Sequence, residues 1–206
     1  TRAYLENQHR SRAEVRLEWF EERDGRLAQG LIALSGGRHG DVGGLLLAGK
    51  LEPARLAAQR MAAAFPGRYF LELHRTGHER DAAQTRAALA LGAQMKLPVV
   101  ATHPVQFLEQ DDFRPHEARV CIAEGYTLAD PRRPRRYTEQ QYFKSQAEME
   151  QLFADVPVAL ANSVAIAQRC NLVLELGKPR LPDYPTPAGV TLDDHCRALA
   201  GEGLGK

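Results

Sequence analysis

The sequence predicts an α/β fold in which parallel strands alternate with helices. Three short apolar runs support this: Gly30–Ser35, Arg68–His74 and the stretch beginning Pro98-Val99-Val100-Ala101. Each is bounded by turn-forming residues, as short buried strands are. Helix-like segments separate them, and the runs recur about every 30 residues, the order expected of βα units with parallel strands. Three or four such units make roughly half of a closed barrel, so the expected architecture is a partial, open β/α barrel.

Residues 1–23 are polar and charge-dense, with Leu5, Val15, Leu17, Trp19 and Phe20 as apolar content, and are expected to be helical. The first strand stops at Gly36-Gly37; a polar loop runs from Arg38 to Gly44, and a short helix through Leu45-Leu46-Leu47 ends near Gly49. Pro53 suits a first helical turn, and Ala57, Met61 and Ala64 fall on one face of the helix that follows. The alanine-rich segment from Asp81 to Gln94 reads as a helix. In the helix carrying His116 and Glu117, the spacing of Ala118, Cys121 and Ile122 predicts a packed face, and Gly125 ends it. Helices are expected at about 145–153 and 157–170, the second packing through Leu160, Val164 and Ala167. Leu172-Val173-Leu174 reads as a last strand. The prolines at 179, 182, 185 and 187 read as a linker, and Thr191 opens a final helix with Asp193 and Asp194 in its first turn.

Composition narrows the function classes. The chain has 206 residues, 44% hydrophobic and 26% charged, with a formal net charge of +1. That balance gives no global argument for nucleic-acid binding, which would need a local patch. Cys121, Cys170 and Cys196 form no CxxC pair, so neither a zinc knuckle nor a disulfide framework is expected, and a cytoplasmic location is the plain reading. No apolar run is long enough for a membrane span. The chain begins with Thr1, and the expectation is an excised piece of something longer.

Candidate site residues gather at strand exits. Strand alternation puts Tyr69, Leu71 and Leu73 on one face and Phe70, Glu72 and His74 on the other, so a carboxylate and an imidazole share a face. Thr102-His103-Pro104 puts a histidine at the exit of the strand beginning at Pro98. His74 and His78 are four apart, but Gly77 lies between them in a turn, which rules out a helical metal pair; His116 reads as a capping or packing residue. His9, His39 and His195 have no evident partners. Arg132, Arg133, Arg135 and Arg136 lie within five residues, among Pro131 and Pro134. Such a loop binds phosphates or, as favoured here, makes structural ion pairs. Gly36-Gly37 and Gly43-Gly44 bracket a polar loop of the kind that cradles phosphate, but no Walker or Rossmann pattern is present.

The runs LIALSGGRHGDVG, RYFLELHRTG, LPVVATHPVQFL, HEARVCIAEGYTLADPRRPRRY and QLFADVPVALANSVAIAQRCNLVLELGKPRLPDYPTP closely resemble the alpha subunit of bacterial DNA polymerase III, a C-family replicative polymerase. The resemblance is almost continuous from Thr1 to Pro187. It implies that residues 1–180 are the later part of a PHP (polymerase and histidinol phosphatase) domain, a distorted β/α barrel here lacking its first strands. Residues 181–206 would be the linker and first helix leading to the polymerase palm. The parent chain would be a DNA-directed DNA polymerase using Mg, with the polymerase carboxylates beyond this segment.

Working PHP domains gather histidines, aspartates and a glutamate around divalent metals, Zn or Mn, which activate water. By resemblance Glu72 is the glutamate of that set. Pro104 stands where the family has a metal-binding aspartate and Gln106 where it has a histidine. Neither side chain is a useful ligand, and His103, one residue from the lost aspartate, points elsewhere if strand alternation continues. The expectation is a degenerate site with no catalytic residue and no cofactor in this segment. The implied role is architectural: bracing the palm and thumb, and docking a proofreading exonuclease subunit, with DNA reached through the parent enzyme. The rival expectation is a residual metal-dependent phosphoesterase or 3′ to 5′ exonuclease using Glu72 and His103. A free-standing histidinol-phosphate phosphatase is disfavoured because polymerase-like sequence continues past Pro187. An unclosed barrel also leaves a sheet edge for self-association.

Overall fold

A computed structural model of the chain describes residues 2–7, 13–178 and 184–204, in two compact units, Thr1–Cys170 and Asn171–Lys206. In the first unit, β1 (Ala33–Leu34), β2 (Tyr69–Leu73) and β3 (Val99–Ala101) form a parallel sheet in the order β1-β2-β3. Ala33 is in register with Tyr69, and Leu71, Glu72 and Leu73 with Val99, Val100 and Ala101. The sheet is open, as the strand spacing predicts. A four-residue turn, α1 (Arg2–Leu5), precedes it; α2 (Asp41–Leu47) and α3 (Leu51–Ala64) connect β1 to β2, and α4 (Asp81–Met95) connects β2 to β3. After β3 come α5 (Phe113–Glu124), α6 (Gln146–Leu152) and α7 (Pro157–Arg169).

The alternation of β2 decides where the core lies. Tyr69, Leu71 and Leu73 join Val99 and Ala101 in one cluster with Ala54 and Ala58 of α3, Ala88 and Leu91 of α4, and Phe153. Alanines facing the sheet let the helices approach closely. Burying Leu71, Leu73 and Phe153, each 0% exposed, contributes about 1.5–3 kcal/mol per side chain. Phe70 and Val100 are buried outside this cluster, on the face that also carries Glu72.

β3 ends the strand order, and α7 covers it with side chains. Asn162 Nδ2 donates to the Val99 carbonyl at 2.7 Å, and Ser163 Oγ to the Ala101 carbonyl at 3.1 Å. Arg75 ties the same region to the exit of β2. It forms a two-pronged pair with Asp155 at 2.6 and 2.8 Å, bonds the Leu152 carbonyl, and lies over the Phe153 ring.

Several expectations are corrected. The segment around Leu17 to Ala28 forms two 3-10 stretches, Leu17–Phe20 and Glu22–Ala28, rather than one helix, because its apolar residues lack the 3.6 period and, of Leu17, Trp19 and Phe20, Trp19 alone is buried. Gly43 and Gly44 lie inside α2 instead of a loop, since that helix starts at Asp41. Ile122 is 82% exposed, and α5 packs through His116, Glu117 and Cys121. Val164 is 59% exposed, because α7 is oriented by Asn162 and Ser163 meeting the β3 carbonyls and by buried Ala159. Leu172-Val173-Leu174 forms no strand among the described residues and is strongly exposed; a strand needs a neighbour with which to pair. Of the proline cluster, Pro185 and Pro187 have no regular structure, while Pro179 and Pro182 lie outside the described residues, as does His9. The final helix, α8 (Leu192–Leu204), opens as read: the Thr191 hydroxyl accepts from the Asp194 amide.

Asn162→Ala should destabilise the fold by about 1 kcal/mol in urea unfolding, the usual worth of one such hydrogen bond. Val164→Ser, on the exposed face, should change it by less than about 0.5 kcal/mol. The reverse order would mean that α7 packs through the other face.

Candidate functional site

The carboxyl ends of the strands build one polar region. After β1 the chain turns at Gly36 and Gly37, both left-handed. A side chain at Gly37 would strike the His74 ring at 2.4 Å, and one at Gly40 would strike the Ser35 carbonyl at 1.7 Å. Glycine is therefore required for the loop to fold back on itself and against the exit of β2. The closeness brings the Gly36 amide to Glu72 Oε2 at 2.9 Å.

Glu72 is nearly enclosed. Thr102 Oγ1 donates to Oε1 at 2.5 Å, His74 Nε2 lies 3.2 Å from the same oxygen, and Ser35 Oγ accepts the Glu72 amide at 2.8 Å. Burial raises the Glu72 pKa, but the bonds from His74 and Thr102 outweigh it, leaving the carboxyl below its usual 4.5. Both oxygens are committed to the protein's own donors.

Thr102 reaches Glu72 through its hydroxyl, whereas His103, although within electrostatic reach of His74, makes no hydrogen bond in this network. Its surroundings are the backbone of Gln140 and Tyr142 and the Lys144 ammonium. Among the described residues neither ring nitrogen has a well-formed hydrogen bond; burial, then Lys144, holds its pKa below 6.5 against the opposing pull of the Gln140 and Tyr142 backbone. No hydrogen bond joins His103 to Glu72, and among the described residues no three His, Cys, Asp or Glu side chains converge as they would around a metal ion. Pro104 offers only its carbonyl, which accepts from Gln141 Nε2 at 3.0 Å. The backbone amide of Gln106 donates to the Gln141 carbonyl at 2.8 Å. This bond is one of several that hold residues 138–143 along the exit of β3, with the Phe143 amide shared between the Phe107 and Leu108 carbonyls.

Asp81 ties the region together, and sequence reading took it only as a helix start. Its Oδ2 accepts from the Thr76 amide at 2.6 Å, the Thr76 hydroxyl at 2.9 Å and the His78 amide at 3.2 Å, while Oδ1 accepts from Arg38 at 2.9 Å. The available signal was an aspartate in the first turn of α4, five residues after a threonine that leaves a strand. The arginine loop is largely occupied within the protein: Arg132 pairs with Asp130 at 2.9 Å, Arg133 with buried Glu117, and Arg136 with Glu124 at 2.8 Å. Arg135 makes no ion pair among the described residues. His116 is packed between Phe107 and Tyr137, as a structural histidine would be.

Comparisons define first a class. The PHP domain profile matches residues 1–76. At closer range, the DNA polymerase III subunit alpha of Pseudomonas aeruginosa is 45% identical over 204 residues, covering 99% of this chain and 17% of that protein. The subunit of the same name from Neisseria meningitidis serogroup A is 48% identical over 193 residues (93% of this chain, 17% of that protein), and the one from Escherichia coli K12 is 47% identical over 187 (91% and 16%). The chain is a homologue of the DNA polymerase III alpha subunit along a segment that carries PHP-domain sequence. It spans about one sixth of the length of these relatives. No helix among the described residues is long and apolar enough to cross a membrane.

Because the folded pKa of Glu72 is depressed, its bonds stabilise the fold above pH 4.5, and that contribution is lost as pH falls through the lowered folded value. Glu72→Gln should unfold at lower urea than wild type at neutral pH, and the gap should close on acidification below 4.5. A gap constant across that range would contradict the assigned charge state.

Proposed function

We propose that this chain is an architectural part of a replicative DNA polymerase, whose PHP region braces the palm and thumb and docks a proofreading exonuclease subunit, and that it does not hydrolyse phosphoesters itself. The observation that carries the reading is the state of Glu72. Its oxygens are taken by the Gly36 amide, the Thr102 hydroxyl and His74, so a metal would have to displace three internal donors. Zn or Mn clusters also need several converging ligands. Pro104 and Gln106 supply no such side chain, and His103 lies against Gln140, Tyr142 and Lys144 instead. This chain's donors therefore do not fit a resident metal cluster, and no hydrolytic step is assigned to it. Polymerisation, with its Mg, belongs in this reading to the parent enzyme, which acts in the cytoplasm and meets DNA outside this segment.

Metal analysis and a nuclease assay test the reading. After incubation with Zn or Mn and gel filtration, the chain should retain no stoichiometric metal and should release no nucleotides from a 3′ end. Metal retained in a one-to-one ratio, lost in Glu72→Ala together with hydrolysis, would overturn it in favour of the phosphoesterase alternative.

The sheet supports a second expectation. The outer edge of β1 pairs with no strand among the described residues, and an open edge invites another. Sedimentation of the chain over a wide concentration range should show reversible self-association; a single monomeric species throughout would refute it.

A further inference from the structure

At the amino end of β2, away from Glu72 and the strand exits, lies a cavity of about 560 Å³. Arg68 directly precedes Tyr69, the first residue of β2, and Ala63 and Ala64 end α3. Phe20, Glu21 and Gln29 come from the two 3-10 stretches and the residues that border them. The size is within the range of small-molecule sites. We propose that this cavity binds a small monocarboxylate with an apolar body, gripped by Arg68. The inference goes beyond the architectural role and does not depend on it.

The guanidinium of Arg68 carries the argument. The residue is half-buried, and its Nη1 donates to the Ala28 carbonyl at 2.5 Å and the Leu31 carbonyl at 3.0 Å. Those neutral acceptors fix the group without balancing its charge, and no carboxylate pairs with it among the described residues. Its Nε and Nη2 make no hydrogen bond among the described residues. These two nitrogens form the edge of a guanidinium that meets a carboxylate through two parallel bonds. Because Nη1 is already held, little side-chain freedom remains to be lost when an anion arrives.

The same cavity contains that pairing made internally. Arg60 donates from Nε to Glu21 Oε1 at 2.6 Å and from Nη2 to Glu21 Oε2 at 3.0 Å. Glu18 shares Arg60 at 3.2 Å and makes no bond to Arg68. Glu21 is thereby matched, and Arg68 is left as the one unmatched charge among the lining residues. A single positive charge calls for a monoanion. The remaining walls include Phe20, Ala63, Ala64 and Pro66. Phe20 is itself held by Phe65, ring centroids 5.1 Å apart, so that wall is fixed. An apolar ligand body gains by burial against such walls, whereas a small hydrated dianion does not.

Calorimetric titration of the full chain with benzoate tests the site, with benzamide as its uncharged counterpart and acetate as a carboxylate without the apolar body. Saturable binding of benzoate to one site is expected, with benzamide and acetate each roughly tenfold or more weaker. Arg68→Lys keeps the charge but loses the two-nitrogen edge, and should weaken benzoate roughly tenfold. Ala63→Trp, at an exposed helical position, should fill the cavity and abolish binding while circular dichroism shows the chain still folded. Should Arg68→Lys fail to fold for want of its carbonyl bonds, Ala63→Trp decides alone. The proposal is overturned if benzoate does not saturate one site, if benzamide or acetate binds as tightly, or if a folded variant binds as tightly as wild type.

Discussion

The arrangement of the strand ends depends on one buried carboxylate. Asp81 accepts from the Thr76 amide and hydroxyl, the His78 amide and the Arg38 guanidinium. Those groups come from the loop after β1, the exit of β2 and the start of α4, so a single side chain fixes three parts of the chain relative to one another. Its burial is tolerable because both oxygens are satisfied and one partner is cationic, without which a buried charge would be costly. The same contacts hold Arg38 in place, and through Arg38 the ring of His39.

Glu72 is organised by the same principle but to a different end. A carboxylate at the end of a strand, reachable by water and short of donors, is suited to coordinating a cation. Glu72 is instead met by a backbone amide, a hydroxyl and an imidazole. The two glycine contacts are the geometric condition for this: without the close approach at Gly37 and Gly40, the Gly36 amide would not lie over the carboxylate. In the proposed reading, conversion of a ligand into a structural hydrogen-bond acceptor would need no change at the glutamate itself, only in what surrounds it.

Much of this was legible in the sequence because it rests on local periodicity. Alternation separated Leu71 and Leu73 from Glu72 and His74, and the same rule set His103 apart from the position of the expected aspartate at Pro104. Helices α3 and α4 follow their alanine-rich composition and spacing, and α8 follows its Thr191 start signal. What was not legible depends on tertiary contacts. The faces of α5 and α7 are set by Glu117 meeting Arg133 and by Asn162 and Ser163 meeting a strand, and polar pairings of that kind leave no apolar stripe to read. The role of Asp81 was missed because its partners lie up to 43 residues away. The polar cavity at the strand ends was missed because Arg38, His78 and Arg135, which line it, come from three separate segments of the chain.

The two ends of the sheet are not equivalent. At β3 the outward carbonyls are held by side chains of α7, which present no continuous backbone for a further strand. At β1 nothing of the kind is present among the described residues. Among the described residues any strand addition would therefore be one-sided, and a one-sided adhesive cannot polymerise. Two copies meeting at β1 would use up the sole open seam in a closed, two-fold pair, whereas a sheet bare at both ends would propagate into a filament. By stoppering one edge, a pair of polar residues on a helix limits how large any assembly built on this sheet can grow.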